Sequence, residues 1–111
     1  DASILDDSAL GALTTGDVAQ RRLLLDDYLG ATANDLQAAR RARESGDCAQ
    51  LAREAHKIKG AAMLVGANEL AAAAAALERA AKASDWPHIL PLAADVETAA
   101  ERLRLHIAQN G

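Results

Sequence analysis

Alanine and leucine dominate this chain and restrict it to helical folds. Among its 111 residues there are 29 Ala and 16 Leu, against 11 Val, Ile and Thr together and no Phe. Alanine and leucine are strong helix formers, whereas β-branched and aromatic residues favour strands. A chain of this length has room for one modest core. We therefore predict an all-α fold in which residues 1–111 form a single domain.

Capping residues and glycines divide the chain into a short first helix and four longer ones. Asp6 opens the first helix, residues 14–17 break the chain, Asp47 with Gln50 forms a capping-box pattern, and Gly46 and Gly66 end two helices. The connections are short, so consecutive helices must be antiparallel. We predict an up-down-up-down four-helix bundle with a short extra N-terminal helix. The predicted ranges are about 6–13, 17–44, 47–65, 68–83 and 84 onward.

Apolar residues recur at helical spacing in the second and last of these segments, as expected for helices with one buried face. Pro91 interrupts the last segment, and we expect a kink or a fresh helix start there, since proline inside a helix costs about 3 kcal/mol. The predicted core positions are Val18, Leu25, Tyr28, Leu29, Thr32, Leu36, Ala39, Trp86, Ile89, Leu92, Val96, Ala99, Leu103 and Ile107.

Residues 56–66, which read HKIKGAAMLVG, carry the most informative motif. At about 100° per residue, His56, Lys59, Gly60 and Met63 share one sector of the helix. The histidine therefore faces water, because the apolar residues fall on the opposite side. Glycine in an exposed helix costs roughly 1 kcal/mol relative to alanine, so Gly60 indicates a need for space beside His56. The apolar side comprises Leu51, Ala55, Ile58, Ala62 and Val65.

This motif resembles that of the histidine-containing phosphotransfer (HPt) domains of two-component phosphorelays. The family pattern is met at His56, Ile58, Lys59, Gly60, Ala61, Ala62, Val65 and Gly66. The resemblance implies that His56 accepts a phosphoryl group from a receiver-domain aspartate and passes it to a response-regulator receiver. It also implies that Mg²⁺ comes from the receiver, since we expect no cofactor in this chain. We expect a phosphocarrier without an ATP site rather than an enzyme.

Hairpin geometry predicts a partner for His56. If the turn after the histidine helix centres near Ala67, residue 67 − n pairs with residue 67 + n, and Glu78 lies opposite His56. A carboxylate beside one ring nitrogen would fix the tautomer and leave the other nitrogen free as the nucleophile. The resemblance implies that Nδ1 faces Glu78 and that Nε2 carries the phosphoryl group. The alternative is that Glu78 pairs only with Lys82 at i, i+4. In several HPt domains a Glu or Gln on the following helix binds the histidine, which agrees with the first alternative.

The remaining site residues are predicted from their positions along the histidine face. Lys59 lies one turn beyond His56, where its ammonium can reach phosphoryl oxygens. Ala52 and Met63 are the predicted docking residues, and Met63 is either an exposed apolar rim or a half-buried filler. His88 and His106 lack the surrounding pattern, so we expect them to be inert.

Two other functions compete with phosphate transfer. The main alternative is a non-catalytic helical module that keeps the HPt fold and docks a receiver without carrying phosphate. Use of His56 as a general base ranks third, because an exposed helix face offers no pocket.

Charge and composition argue against several classes of partner. The net charge is −4 and there is one Trp and one Tyr, so we do not expect the chain to bind nucleic acid. No apolar run is long enough to span a membrane, and we expect no direct membrane contact. The single cysteine, Cys48, suits a reducing compartment, so we expect a cytoplasmic domain, monomeric in isolation. The chain begins without Met, and we expect a terminal module of a hybrid sensor kinase, with a free-standing carrier as the alternative.

Overall fold

Every regular element in residues 3–14 and 17–110, which the computed structural model describes, is an α-helix. The all-α prediction is confirmed, and the four long helices form an antiparallel bundle. Helix α3 packs against α2 and α4, and α4 packs against α5. The short α1 lies beside α2 and α3 as the extra N-terminal helix. The helices are α1 (Asp7–Thr14), α2 (Val18–Ser45), α3 (Cys48–Val65), α4 (Asn68–Lys82) and α5 (Trp86–Asn110).

The capping residues predicted from the sequence lie at both ends of α2 and of α3. The side chain of Asp17 accepts a hydrogen bond from the Gln20 N–H, and Asp47 does the same for Gln50. Gly46 follows α2 with φ of 74°, a left-handed conformation that glycine adopts without steric cost. The capping box at Asp47 is only half formed, because the Gln50 side chain donates to Glu54 instead of returning to the cap. Thr15 and Gly16, within the predicted break, lie outside the described residues.

The turn between α3 and α4 is closed by the N-terminal segment. The Asp6 N–H donates to the Gly66 carbonyl at 2.7 Å, and the Glu69 N–H donates to the Ser3 carbonyl at 2.7 Å. The second bond satisfies a free donor in the first turn of α4, whose N-cap, Ala67, has no side-chain acceptor. Gly66 has φ of 81°, and a Cβ there would lie 2.6 Å from the Asp6 carbonyl oxygen. Both conditions require glycine.

The core lies on the helix faces that the apolar spacing predicts. The side of α3 opposite His56 is buried, with Ile58 fully enclosed. On α4, Ala71 and Ala74 are buried and let neighbouring helices approach closely, as expected of the alanine run. On α5 the buried positions are Ile89, Val96, Ala99, Leu103 and Ile107, while Trp86 and Leu92 are half-buried against them.

One predicted core position is wrong. Val18 is 74% exposed, although its spacing fits the apolar stripe of α2. Helix α2 has 28 residues and α3 has 18, so at 1.5 Å per residue the start of α2 extends well past the end of α3. Leu25 is still covered there, in the same core as Leu10 of α1. Val18, at the first residue of α2, has no such cover.

Helix α5 continues through Pro91, so the predicted fresh start does not occur. Proline at this position, the sixth of the helix, removes only the bond to the carbonyl of residue 87. Buried Ile89 and half-buried Leu92 flank the proline and anchor both sides to the core.

Over residues 3–14 and 17–110, no helix combines the length and apolarity needed to cross a membrane.

Replacing the most enclosed residue of the histidine helix tests this packing. Ile58→Asp should destabilise the bundle by more than about 3 kcal/mol, because an unpaired charge would be buried. Met63→Asp, on the exposed side of the same helix, should change stability by no more than about 1 kcal/mol. Chemical denaturation followed by circular dichroism measures both. Equal stability of the Ile58 variant and the wild type would mean that the assigned helix face is wrong.

Candidate functional site

The α3–α4 hairpin brings His56 and Glu78 together, as the predicted register requires. Nδ1 of His56 lies 3.0 Å from Oε2 of Glu78. Gly66 and Ala67 form the turn, and the two residues are each eleven positions from Ala67. The predicted contact is confirmed, and the alternative partner is present as well, since Lys82 also binds Glu78.

Glu78 is the acceptor for three side chains. Its side chain is buried, with 8% of its surface exposed. Lys59 Nζ lies 2.8 Å from Oε1, while Lys82 Nζ lies 3.1 Å from Oε2, the oxygen that His56 also contacts. Buried carboxylates are stable only when paired and hydrogen-bonded, and here two ammonium groups and an imidazole supply those bonds.

These contacts keep Glu78 ionised. The hydrogen bond from Lys59 is the largest influence and, with those from Lys82 and His56, outweighs the effect of burial and lowers the pKa of Glu78 from 4.5 to about 2. The carboxylate is therefore a permanent acceptor at neutral pH. An ionised carboxylate can only accept hydrogen bonds, so a neutral His56 must carry its hydrogen on Nδ1. Nε2 then has a free lone pair.

The imidazole of His56 is presented to solvent in this fixed orientation, with 65% of its side chain exposed. His88 has a similar partner, since its Nδ1 lies 2.6 Å from Oδ2 of Asp85. Asp85 is itself more exposed than Glu78, and no described lysine contacts it. The imidazole–carboxylate pair alone does not distinguish His56. The two lysines on the same carboxylate and the surface beside the ring do.

A groove with small residues on its floor and cations on its rim lies beside His56, between the start of α3 and the end of α4. We name it the histidine groove, and its volume is about 730 Å³. Small side chains leave space for a partner, and the charges along the rim favour an anionic one. Buried Ala52 and Ala81 form the floor and the small residues Cys48, Ala49 and Ser84 also line the groove, while the cations Arg53, Lys57 and Lys82 lie on the rim beside His56 and Glu78.

The predicted docking residues are separated by the structure. Ala52 lines the histidine groove but is 8% exposed, so it offers little area of its own. Met63 lies outside the groove and is exposed, which favours an exposed apolar docking surface over a half-buried filler. Gly60 is also exposed, and a Cβ added there would meet no atom within 4 Å. Packing within the domain therefore does not explain the glycine.

The sequence predicts that the Lys59 ammonium can reach phosphoryl oxygens, and the structure shows it paired with a carboxylate. It is held on Glu78, and only 28% of its side chain is exposed. Its role toward a phosphoryl group stays a prediction.

Sequence reasoning missed the charged rim. Lys82 was considered only as a competitor for Glu78, and Arg53 and Lys57 were not considered. The hairpin rule that pairs His56 with Glu78 also pairs Ala52 with position 82, so the signal for Lys82 was present. Arg53 and Lys57 lie three residues before and one residue after His56, a spacing that solvated surface charges share.

Across the described ranges, no three His, Cys, Asp or Glu side chains group closely enough to hold a metal ion.

Comparison with known proteins identifies the family. The family model described as Hpt domain matches residues 23–106, and the chain belongs to this family. The chain is thus a phosphotransfer intermediate of two-component signalling, a carrier rather than an enzyme. A solved structure of histidine-containing phosphotransfer protein B (HptB) from Pseudomonas aeruginosa PAO1 is similar, with a TM-score of 0.88 and 27% identity over 98% of this chain and 95% of that one. No curated protein matches.

Acid titration tests the pairing of Glu78. Because its pKa is lowered from 4.5 to about 2, the carboxylate contributes stability above pH 4.5 that is lost as the pH falls toward 2. Glu78→Gln should be less stable than the wild type at pH 7, and the difference should shrink over this pH range. Denaturation midpoints at several pH values measure it. A difference that does not depend on pH would contradict the assigned contacts.

Proposed function

We propose that His56 accepts a phosphoryl group from the aspartyl phosphate of one receiver domain and passes it, reversibly, to the aspartate of another. The observation that carries this proposal is the orientation of the imidazole. Nδ1 faces a buried, ionised carboxylate at 3.0 Å, and Nε2 faces solvent beside an open groove. We place this relay in the cytoplasm, in agreement with the sequence expectation.

The transfer step needs no proton to leave the ring. The Nε2 lone pair attacks phosphorus, the N–P bond forms, and the P–O bond to the receiver aspartate breaks, so that its carboxylate departs with the electron pair. The phosphorylated ring is then cationic while Nδ1 keeps its hydrogen. The Glu78 carboxylate lies at the right distance to stabilise that charge. In the reverse direction the same contacts hold the ring for a second aspartate.

The receiver supplies what this domain does not provide in the proposed step. Phosphoryl transfer relies on positioning and on charge stabilisation by a metal ion. We propose that the receiver brings Mg²⁺ together with its aspartate, while this chain contributes the nucleophile, its orientation and cations near the phosphoryl group. The open surface at Gly60 and the small side chains on the floor of the histidine groove allow the receiver to approach the ring closely.

Replacement of the proposed acceptor is the direct test. His56→Gln should abolish acid-labile, alkali-stable phosphate on the domain after incubation with phosphorylated receivers. Stability should fall by no more than about 1.5 kcal/mol, because the side chain is largely exposed and Lys59 and Lys82 still pair with Glu78 when the His56 hydrogen bond is lost. His88→Gln is the matched control, since His88 is an exposed histidine with its own carboxylate partner, and this variant should accept phosphate normally.

The outcomes separate the candidate functions. Phosphate retained by the His56 variant would contradict the assignment of the acceptor. A wild-type domain that binds receivers but never becomes phosphorylated would instead be a docking module without phosphate transfer.

Gly60 tests the requirement for close approach. Gly60→Glu should keep the helix intact, because the space around the residue is open and glutamate is a better helix former than glycine. Transfer from a receiver should slow by more than about 10-fold, through bulk and repulsion of the phosphoryl group. Gly60→Gln separates the two causes, since it adds bulk without charge. Single-turnover transfer rates measure the effect.

Gly30 offers a matched control on α2. It is also an exposed helical glycine with no atom within 4 Å of an added Cβ, and it lies on α2 rather than on the face of α3 that carries His56. Gly30→Glu should transfer at the wild-type rate. Equal rates for all of these variants would show that the surface at Gly60 is not used in transfer.

A further inference from the structure

We propose that Lys82 is a phosphate-binding residue, which releases Glu78 when His56 is phosphorylated and pairs with the phosphoryl group. This inference rests on the proposed function. It concerns a residue of α4 that lies outside the histidine motif, and it is based on the contacts of Glu78 and on the composition of the groove rim.

Lys82 and His56 share one carboxylate oxygen of Glu78. Oε2 accepts from both His56 Nδ1 at 3.0 Å and Lys82 Nζ at 3.1 Å, whereas Lys59 has Oε1 to itself at 2.8 Å. Since two hydrogen bonds meet at one oxygen, the two nitrogens lie no more than about 6 Å apart. The Lys82 ammonium is thus already beside the ring.

Phosphorylation changes which of these contacts is favoured. The ring gains a positive charge, which strengthens its hydrogen bond to Oε2, and Nε2 gains a group that carries up to two negative charges. Glu78 then has less need of a second donor on the same oxygen. An ammonium near the dianion is more strongly attracted to it than to a carboxylate that is already paired.

Lys82 is better placed to move than Lys59. The Lys82 side chain is 67% exposed and lines the histidine groove, whereas Lys59 is 28% exposed and does not line it. An exposed lysine has a flexible four-carbon stem and little packing to lose. Lys59 therefore stays on Oε1 and keeps Glu78 ionised while Lys82 changes partner.

The other cations of the rim, Lys57 and Arg53, have partners other than Glu78. Lys57 contacts Glu54 at 3.1 Å and Asp35 of α2 at 3.5 Å. Arg53 donates to the Gln50 side chain. Lys57 is therefore a matched control, because it is a lysine on the same groove with similar exposure and different carboxylate partners.

The first experiment follows the phosphoryl group itself. The domain is phosphorylated on His56 with phosphoramidate, which needs no receiver, and the phosphoryl group is titrated by ³¹P NMR. A nearby ammonium favours the dianion, so Lys82→Gln should raise the proton affinity of the phosphoryl group by about 3- to 10-fold. Lys82→Arg should restore most of the wild-type value, and Lys57→Gln should leave it unchanged. A residue that only supported the fold would not move this titration.

The second experiment tests the consequence for transfer. At equilibrium with a receiver, the ratio of phosphohistidine to phosphoaspartate should fall in Lys82→Gln, because the phosphorylated domain loses a partner of the phosphoryl group, whereas the unphosphorylated domain loses only one of three donors to Glu78. Identical ³¹P titrations of the wild type, Lys82→Gln and Lys57→Gln would overturn the inference. Failure of the proposed function is a different result, in which phosphoramidate labels His56 and Lys82→Gln shifts the titration, yet no receiver exchanges phosphate with the domain.

Discussion

The carboxylate of Glu78 is the group on which both the site and its local structure depend. A buried negative charge must be paired, and the pairing comes from residues on two helices: His56 and Lys59 on α3, and Lys82 on its own helix. The same contacts hold α3 and α4 in one register, orient the imidazole and collect cations beside it. Stability and chemistry therefore share one set of hydrogen bonds, and a change at Glu78 affects both.

The register of that hairpin is enforced at its other end. Gly66 adopts a left-handed conformation, and the backbone of Asp6 lies against it so closely that no side chain fits. Ser3 and Asp6 supply hydrogen bonds to the turn that the helix caps do not. The N-terminal segment thus closes the α3–α4 turn, and the position of this turn determines that His56 and Glu78 lie opposite each other. A shift of one residue there would rotate the partner of His56 by about 100° around α4.

Much of the fold and part of the site were predictable from sequence, because they depend on local rules. Helix bounds followed from Asp17, Asp47 and the glycines, and the exposed face of α3 followed from periodicity alone. The contact between His56 and Glu78 needed one further assumption, a tight antiparallel turn. The exposure of Val18 was not predictable, because it depends on how far α2 extends beyond its neighbours. The partner of Lys59 was not predictable either, because a lysine side chain is long and flexible and its sequence position does not specify which acceptor it meets.

The sequence by itself determined a helical bundle with a solvent-facing histidine beside a lysine and a glycine, since composition, capping and the 3.6-residue period act over a few neighbours. Only the tertiary structure decided how the charges pair. Two lysines and an imidazole meet one buried carboxylate, Lys57 pairs with Glu54 and Asp35, and small residues from α3 and α4 meet as the floor of the histidine groove. Such pairing depends on distances between helices, which local sequence patterns do not specify.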